Sequence, residues 1–203
     1  SSPTVYSTAM PILSKYGFRG SFFVITGNID KTDQVTSNQL KELYNLGWDI
    51  GSHTDTHVTL TTNTEDVVRS DVSKARQKLI SLGFFRSANL LAAPGGNFSS
   101  AQNYLYENLV QFVRSTIHSH LRSMLPAKQK DGYPHAGYES HDGSLVADVK
   151  TRIDEAIANG EWFNLTHHII GEFSGYTNPT DFEEIVSYIY QKTQETNLQV
   201  KTT

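Results

Sequence analysis

The alternation of short β-rich runs with longer amphipathic segments constrains the fold of this chain more than any other feature. Amphipathic periodicity predicts helices over 37–47, 63–83, 146–158 and 180–194, between runs rich in aliphatic and aromatic residues. This order is typical of βα units around a parallel sheet. The number of predicted strands favours closure toward a barrel over a small open sheet. These strands are 20–26, 48–53, 88–93, 111–117, 162–170 and 198–202.

The 203 residues predict a single domain, because the chain has no internal repeat and no low-complexity linker. Ser37 fits the N-cap of the first predicted helix, and Gly47 fits the left-handed residue that ends it. Residues 121–145 combine Pro, Gly and Tyr without a clear period. We interpret this segment as a long functional or connecting loop.

Composition excludes several classes of function. A formal net charge of −4, with acidic and basic residues interspersed, argues against partners such as nucleic acid or an anionic membrane surface. The absence of cysteine excludes disulfides and thiolate metal sites, which leaves His, Asp and Glu as possible ligands. No apolar run approaches the ~20 residues that span a bilayer. The first ten residues do not resemble a signal peptide, so we expect a processed or truncated start.

Two histidines, His53 and His57, fall at the end of the second predicted strand in "SHTDTH", where the strand runs into a loop or a first helical turn. At positions i and i+4 of a helical turn, both imidazoles project from one face and can meet one ion at the ~2.0–2.1 Å typical of Zn–N bonds. A third ligand, usually a carboxylate, would then come from another loop at the same edge of the sheet. The alternative is a pair of surface histidines in a Thr-rich loop, since HxxxH is a short and common pattern.

A glycine-rich turn, "APGGNFSS", follows the third predicted strand. Pro94 fixes the chain, and Gly95 and Gly96 allow backbone N–H groups to approach a ligand closely, so the turn could donate to an oxyanion. The alternative is an ordinary βα turn with a Ser cap for the next helix.

The fifth predicted strand, "EWFNLTHHIIG", ends in two adjacent histidines. In a strand, His167 and His168 face opposite sides, and parity groups His168 with the polar set Thr166, Asn164 and Trp162. We therefore expect His168 at the mouth of the barrel, where an imidazole could act as a general acid near neutral pH. The alternative is a histidine that is hydrogen-bonded in the core.

Together these segments resemble the NodB-homology polysaccharide deacetylases, carbohydrate esterase family 4. "SHTDTH" is similar to that family's metal-binding H(S/T)xxxH motif, "APGGNF" to the turn that ends its third motif, and "EWFNLTHHI" to its Trp-plus-His strand. "PILSKYGFRGSFFVIT" and "LQVKTT" resemble its first αβ unit and its last strand. The resemblance covers nearly the whole chain and implies one NodB-homology domain over 1–203 with a distorted or incomplete (β/α)7-type barrel.

Three departures from the family's pattern are visible. The family's first strand ends in two aspartates, a catalytic base and a metal ligand, just before the segment that is "SSPTVY" here, so the resemblance implies that this sequence lacks the first strand. Leu91 stands where the third motif usually begins with arginine. The family's Leu-x-His pattern selects His167, whereas the spacing from Trp162 selects His168.

The resemblance implies a metal-dependent hydrolase that removes N-acetyl groups from a GlcNAc-containing polysaccharide such as a chitin oligomer, peptidoglycan or an exopolysaccharide. His53, His57 and an upstream Asp would hold a divalent ion, zinc first, with cobalt, manganese or nickel as alternatives. Gly95 would stabilise the oxyanion, His168 would protonate the departing amine, and Trp162 would contact substrate.

The same resemblance implies an extracellular or cell-surface location. Two other functions stay open, an O-acetyl esterase acting on xylan and a catalytically inactive carbohydrate-binding relative. Because neither aspartate can be assigned within residues 1–203, we expect this chain to be inactive or nearly so and to hold its metal weakly.

Overall fold

The computed structural model describes residues 1–96, 105, 110, 112–114, 137–139, 146–160, 163–172 and 176–202. The strands are β1 (Ser21–Val24), β2 (Asp49–Ser52), β3 (Leu90–Ala92), β4 (Phe112–Arg114), β5 (Gly137–Glu139) and β6 (Asn164–Thr166). The α-helices with described bounds are α1 (Met10–Lys15), α2 (Ser37–Asn45), α3 (Glu65–Ser81), α4 (Val146–Asn159) and α5 (Pro179–Glu195). A π-helical turn, Val5–Ala9, leads into α1.

The strands form two parallel sheets, one of four strands in the order β1-β2-β3-β4 and one of two strands, β5 and β6. β1 pairs with β2 over its whole length, from Ser21 opposite Asp49 to Val24 opposite Ser52. Ser52 in turn lies opposite Leu91 of β3. Because parallel strands point the same way, the loops that follow β1, β2 and β3 meet at one edge of the sheet. The predicted α/β class with parallel strands is confirmed.

The ends of α2 illustrate how local residues set the element bounds. Thr36, rather than the expected Ser37, is the N-cap: its side chain accepts from the Gln39 N–H, and the Gln39 side chain accepts from the Thr36 N–H. This reciprocal pair satisfies two of the free N–H groups of the first turn. At the other end, Gly47 has a φ of 93°, as expected for a residue that ends a helix in the left-handed region.

Apolar residues of the helices pack against the sheet in three clusters, and full burial of each such side chain contributes about 1.5–3 kcal/mol. The first joins β1 and β2 to α2 and α5 through Val24, Ile50, Leu40, Leu43, Phe182 and Val186. The second joins β3 to α3 through Leu91, Val68 and Val72, and the third joins α4 to α5 through Val149, Ile153 and Ile185. Within the described ranges, no helix is both long and apolar enough to cross a bilayer.

The structure corrects two strand predictions and one loop prediction. Residues 198–202 are not a strand, and Val200 is exposed there, because an alternating pattern makes a strand only where another strand is available to pair with it. The segment 121–145, expected to be a loop, contains β5, which pairs with β6 from Gly137 opposite Asn164. Of the strand predicted over 162–170, the described residues form only β6.

Candidate metal and catalytic site

The imidazoles of His53 and His57 lie against each other at the carboxyl end of β2. Their Nε2 atoms are 3.1 Å apart, and the rings meet edge to face with centroids 4.7 Å apart. Two nitrogens bound to one ion at about 2.0–2.1 Å lie about 2.9–3.4 Å apart when they subtend about 90–109° at that ion. The observed separation therefore fits a shared metal ion.

The backbone that brings the two rings together is a loop, not the helical turn assumed from the i, i+4 spacing. Thr54 and His57 both have left-handed backbones, with φ of 62° and 65°. L-residues avoid this region because Cβ crowds the neighbouring carbonyl oxygen. Of the two alternatives for this segment, the structure has the loop, and the helical turn is wrong. Contacts outside the loop must stabilise its conformation.

His53 is fixed between the two strands that flank β2. Its backbone N–H donates to the Val24 carbonyl at 2.8 Å, and its ring Nδ1 lies 2.9 Å from the Ala92 carbonyl oxygen. A carbonyl oxygen only accepts, so Nδ1 carries the proton, and Nε2 of the neutral ring keeps its lone pair. That nitrogen faces His57, which is the tautomer that a metal-ligating histidine needs.

The turn after β1 supports the other side of the loop. The N–H groups of Thr26 and Gly27 donate to the carbonyls of Thr54 and Asp55 at 3.1 and 3.0 Å. The Thr26 hydroxyl donates to the Asp55 carboxylate at 2.7 Å, so this acid is engaged in holding the loop. Thr26 and Gly27 were not recognised from the sequence as site residues, because "ITGN" carries no metal-binding or catalytic motif.

Gly95 lies in the Pro94–Gly96 turn that follows β3 and has a φ of 68°. The Gly96 N–H donates to the Ala93 carbonyl at 2.9 Å and closes the turn. Gly95 itself is exposed, and no acceptor for its N–H lies in the part of the chain that the structure describes. Its N–H is therefore available to a ligand, as an oxyanion donor must be.

One cavity of about 940 Å³ is lined by the described site residues, among others: His53, His57, Gly95, His167 and His168. Trp162, predicted to contact substrate, lies outside the described residues. Across those residues, no group of three His, Asp or Glu side chains is arranged to hold a metal ion. The pair would therefore offer two ligands to an ion, and the described part of the chain offers no third beside them.

The two adjacent histidines have different environments. β6 ends at Thr166, so both histidines follow the strand, and the parity argument that favoured His168 does not apply to them. The His167 Nδ1 lies 3.0 Å from the Thr177 hydroxyl, and its ring stands edge-on to Phe182. Burial, with a smaller contribution from the charge of His168, lowers the pKa of His167 from 6.5 to about 4. His168 is exposed.

The lowered pKa of His167 predicts a loss of stability in acid. A proton binds the unfolded chain more readily than the folded one, so this contribution to the free energy of unfolding is complete above pH 6.5 and is lost as the pH falls toward 4. Urea unfolding of the parent and of His167→Gln, near pH 7.5 and near pH 4.5, should show a fall larger by about 2–3 kcal/mol in the parent. Equal falls in the free energy of unfolding of the two proteins would contradict the lowered pKa of His167.

Comparisons with known proteins converge on one family. Residues 1–110 match the profile of the polysaccharide deacetylases. A poly-β-1,6-N-acetyl-D-glucosamine N-deacetylase of Staphylococcus aureus (strain MRSA252) is 31% identical over 107 residues, which cover 46% of this chain and 37% of the relative. The chain spans about a third of the length of the curated relatives that it matches.

Solved structures share the fold at lower identity. A peptidoglycan N-acetylglucosamine deacetylase superposes on 100% of this chain and 81% of its own, with a TM-score of 0.63 and 18% identity. A family 4 carbohydrate esterase from Streptomyces lividans superposes on 96% of this chain and 84% of its own, with a TM-score of 0.57 and 12% identity. The expected fold, a partial barrel of the deacetylase type, is confirmed at this level.

Proposed function

This chain belongs to the polysaccharide deacetylase family, and from this premise we propose that the protein hydrolyses N-acetyl groups of a GlcNAc-containing polysaccharide with the help of a divalent metal ion. One observation carries the proposal: the Nε2 atoms of His53 and His57 lie 3.1 Å apart at the wall of a cavity that Gly95 and His168 also line. Unrelated surface histidines would not need a ring that is hydrogen-bonded to the backbone of a neighbouring strand.

His53 and His57 would hold the ion through Nε2, and a carboxylate from outside the described residues would complete the set. Nitrogen and oxygen donors of this kind suit zinc, and also cobalt, manganese or nickel. Such an ion, when bound, would polarise the acetamide carbonyl and lower the pKa of a water molecule. The Ala92 carbonyl contributes by keeping the proton of His53 on Nδ1, which leaves Nε2 free to bind metal.

The remaining steps fall to groups of the cavity wall. Water adds to the acetamide carbon after giving a proton to a carboxylate base, which the resemblance to the family implies and which we expect outside the described residues. The Gly95 N–H donates to the oxygen that becomes negative. The C–N bond then breaks, the amine takes a proton from His168, and acetate leaves.

His168 is proposed as the acid because it is exposed at the cavity, whereas His167 is half-buried there and its pKa is lowered. A pKa near 4 keeps His167 neutral at pH 7, so it has no proton to donate from the imidazolium form. Its ring is also held by Thr177 and Phe182. His167 therefore suits a role in holding the loop after β6.

An assay of acetate release tests the proposal. The full-length protein, with any residues that precede Ser1 included, is loaded with Zn²⁺ or Co²⁺ and incubated with β-1,6-linked GlcNAc oligomers, chitin oligomers, peptidoglycan and acetylxylan. Acetate from at least one GlcNAc polymer supports the proposal, and an extracellular or cell-surface location would follow from where such polymers lie. Release from acetylxylan alone would instead identify an O-acetyl esterase. No release from any of the four by metal-loaded protein would indicate an inactive carbohydrate-binding relative.

The assignment of the acid is tested by two alanine variants. His168→Ala should lower kcat by about 10²–10³ while leaving the metal content unchanged, because the side chain donates a proton and binds no metal. The control is His167→Ala, for which we expect a smaller change in kcat and a lower melting temperature. If His168→Ala keeps the parental kcat and His167→Ala loses it, the role of the acid belongs to His167.

A further inference from the structure

A buried acid of α3, Asp71, binds the loop that carries the histidine pair. It is only 8% exposed. Its Oδ1 accepts from the backbone N–H groups of Asp55 and Thr56 at 2.7 and 3.1 Å, and its Oδ2 accepts from the Thr56 hydroxyl at 2.6 Å. Both carboxylate oxygens are therefore engaged with two successive residues that lie between His53 and His57.

The loop needs such a partner because its conformation is unfavourable on its own. The left-handed residues Thr54 and His57 flank the two residues that Asp71 binds. Thr26 and Gly27 hold the loop from the β1 side through the carbonyls of Thr54 and Asp55. Asp71 instead binds N–H groups of the loop. These N–H groups belong to no strand or helix whose pairing would supply another acceptor.

We propose that Asp71 is a positioning residue that sets the apposition of His53 and His57. It reaches no cavity-lining atom and acts through the backbone of Asp55 and Thr56, which fixes where the His57 ring lies relative to the His53 ring. The consequence for metal affinity rests on the proposed function. The apposition of the two rings does not.

The hydrogen-bond donors around Asp71 explain why a carboxylate suits this position. Two N–H groups and one hydroxyl meet at this point, and a carboxylate offers two acceptor oxygens in the right place. Asparagine has the same shape: its oxygen can accept from both N–H groups, and its amide can donate to the Thr56 oxygen once that hydroxyl turns. Alanine offers none of these bonds and leaves two N–H groups without an acceptor.

The experiment compares the parent, Asp71→Ala, Asp71→Asn and a matched control, Leu79→Ala. Leu79 is a fully buried residue of the same helix about 12 Å further along, and its loss destabilises the fold without touching the loop. The first readout is the nuclear Overhauser effect between the ring protons of His53 and His57, which requires no metal. The second is the Kd for Zn²⁺ from competitive titration with a chromophoric chelator.

We expect Asp71→Ala to lose the ring-to-ring effect and to raise the Kd by about 10- to 100-fold, the range seen when groups that orient metal ligands are removed. Asp71→Asn should restore both readouts to near the parental values, and Leu79→Ala should leave both unchanged. An Asp71→Ala protein with the parental ring-to-ring effect overturns the proposal. Equal losses in Asp71→Ala and Leu79→Ala overturn it as well.

The two readouts separate this proposal from the proposed function. If the parent shows the ring-to-ring effect but binds no Zn²⁺, the metal-dependent function fails while the positioning role is still decided by the first readout. If the parent binds Zn²⁺ and Asp71→Ala changes neither readout, the positioning role fails and the proposed function stands.

Discussion

Replacing His53 with alanine is expected to lower the affinity of the protein for Zn²⁺ by more than about 100-fold, beyond the loss caused by removing groups that only orient a ligand. The imidazole supplies one of two ring nitrogens placed 3.1 Å apart. It also contributes the hydrogen bond from Nδ1 to Ala92, so its removal leaves one donor nitrogen and an unsupported loop. Metal content after equilibrium dialysis, measured by elemental analysis, reports the change.

The control for this experiment is His168→Ala, which should retain the parental metal content because His168 is not a proposed ligand. His57→Ala should behave like His53→Ala, since each removes one of the paired nitrogens. Deacetylation should fall in proportion to the bound metal in both variants. Unchanged metal content in His53→Ala, with the fold intact by circular dichroism, would refute the assignment of the histidine pair as ligands.

A single methyl group at Gly27 is expected to disrupt the same site from the β1 side. A Cβ at this position would lie 2.6 Å from the carbonyl oxygen of Asp55, which is backbone and cannot rotate away. The loop must shift, and the hydrogen bond from the Gly27 N–H to that oxygen is lost with it. We expect Gly27→Ala to lower the free energy of unfolding by about 2–4 kcal/mol and the affinity for Zn²⁺ by more than about 10-fold.

Gly83→Ala is the matched control for Gly27→Ala. Gly83 has a φ of 93° and nothing within 4 Å of the added Cβ, so alanine there costs only the left-handed backbone, about 1–2 kcal/mol. Its affinity for Zn²⁺ should equal that of the parent. Urea unfolding and metal titration of the two variants measure both effects. The same stability and affinity in the two variants would show that the contact at Gly27 does not matter.

The positions of the paired histidines could be predicted from the sequence, but their geometry could not. Spacing and the strand before them identified His53 and His57, and the structure brings their rings together. The conformation of the loop is set by residues distant along the chain, through the carbonyls of Val24 and Ala92 and the N–H of Gly27. A five-residue pattern contains no information about such partners.

Asp71 was missed although the sequence carries a signal for it. The buried stripe of α3 consists of Val68, Asp71, Val72, Ala75 and Leu79, and an acid at a core position of an amphipathic helix is rarely fully buried without a partner. The signal indicates that a partner exists without naming it. The apolar members alone account for the helical period, so the period does not mark the acid among them.

The residues after β6 show a different limit. The run 162–170 is rich in residues that favour strands, and the parity that distinguished His167 from His168 required a strand over all of it. β6 ends at Thr166, before either histidine, so parity does not distinguish the two. The length of the strand is set by its pairing with β5, which composition does not reveal.

The length of β3 sets both the carbonyl of Ala92 that orients the His53 ring and the position of Gly95. β3 has three residues, and its last carbonyl orients the imidazole while the turn that begins two residues later carries Gly95. Inserting or deleting one residue in β3 would point that carbonyl toward the opposite neighbouring strand and move Gly95 by about 3.3 Å. Related sequences can therefore vary in which apolar residues occupy β3. The number of residues from the β3 residue that pairs with Ser52 to the glycine turn should stay constant.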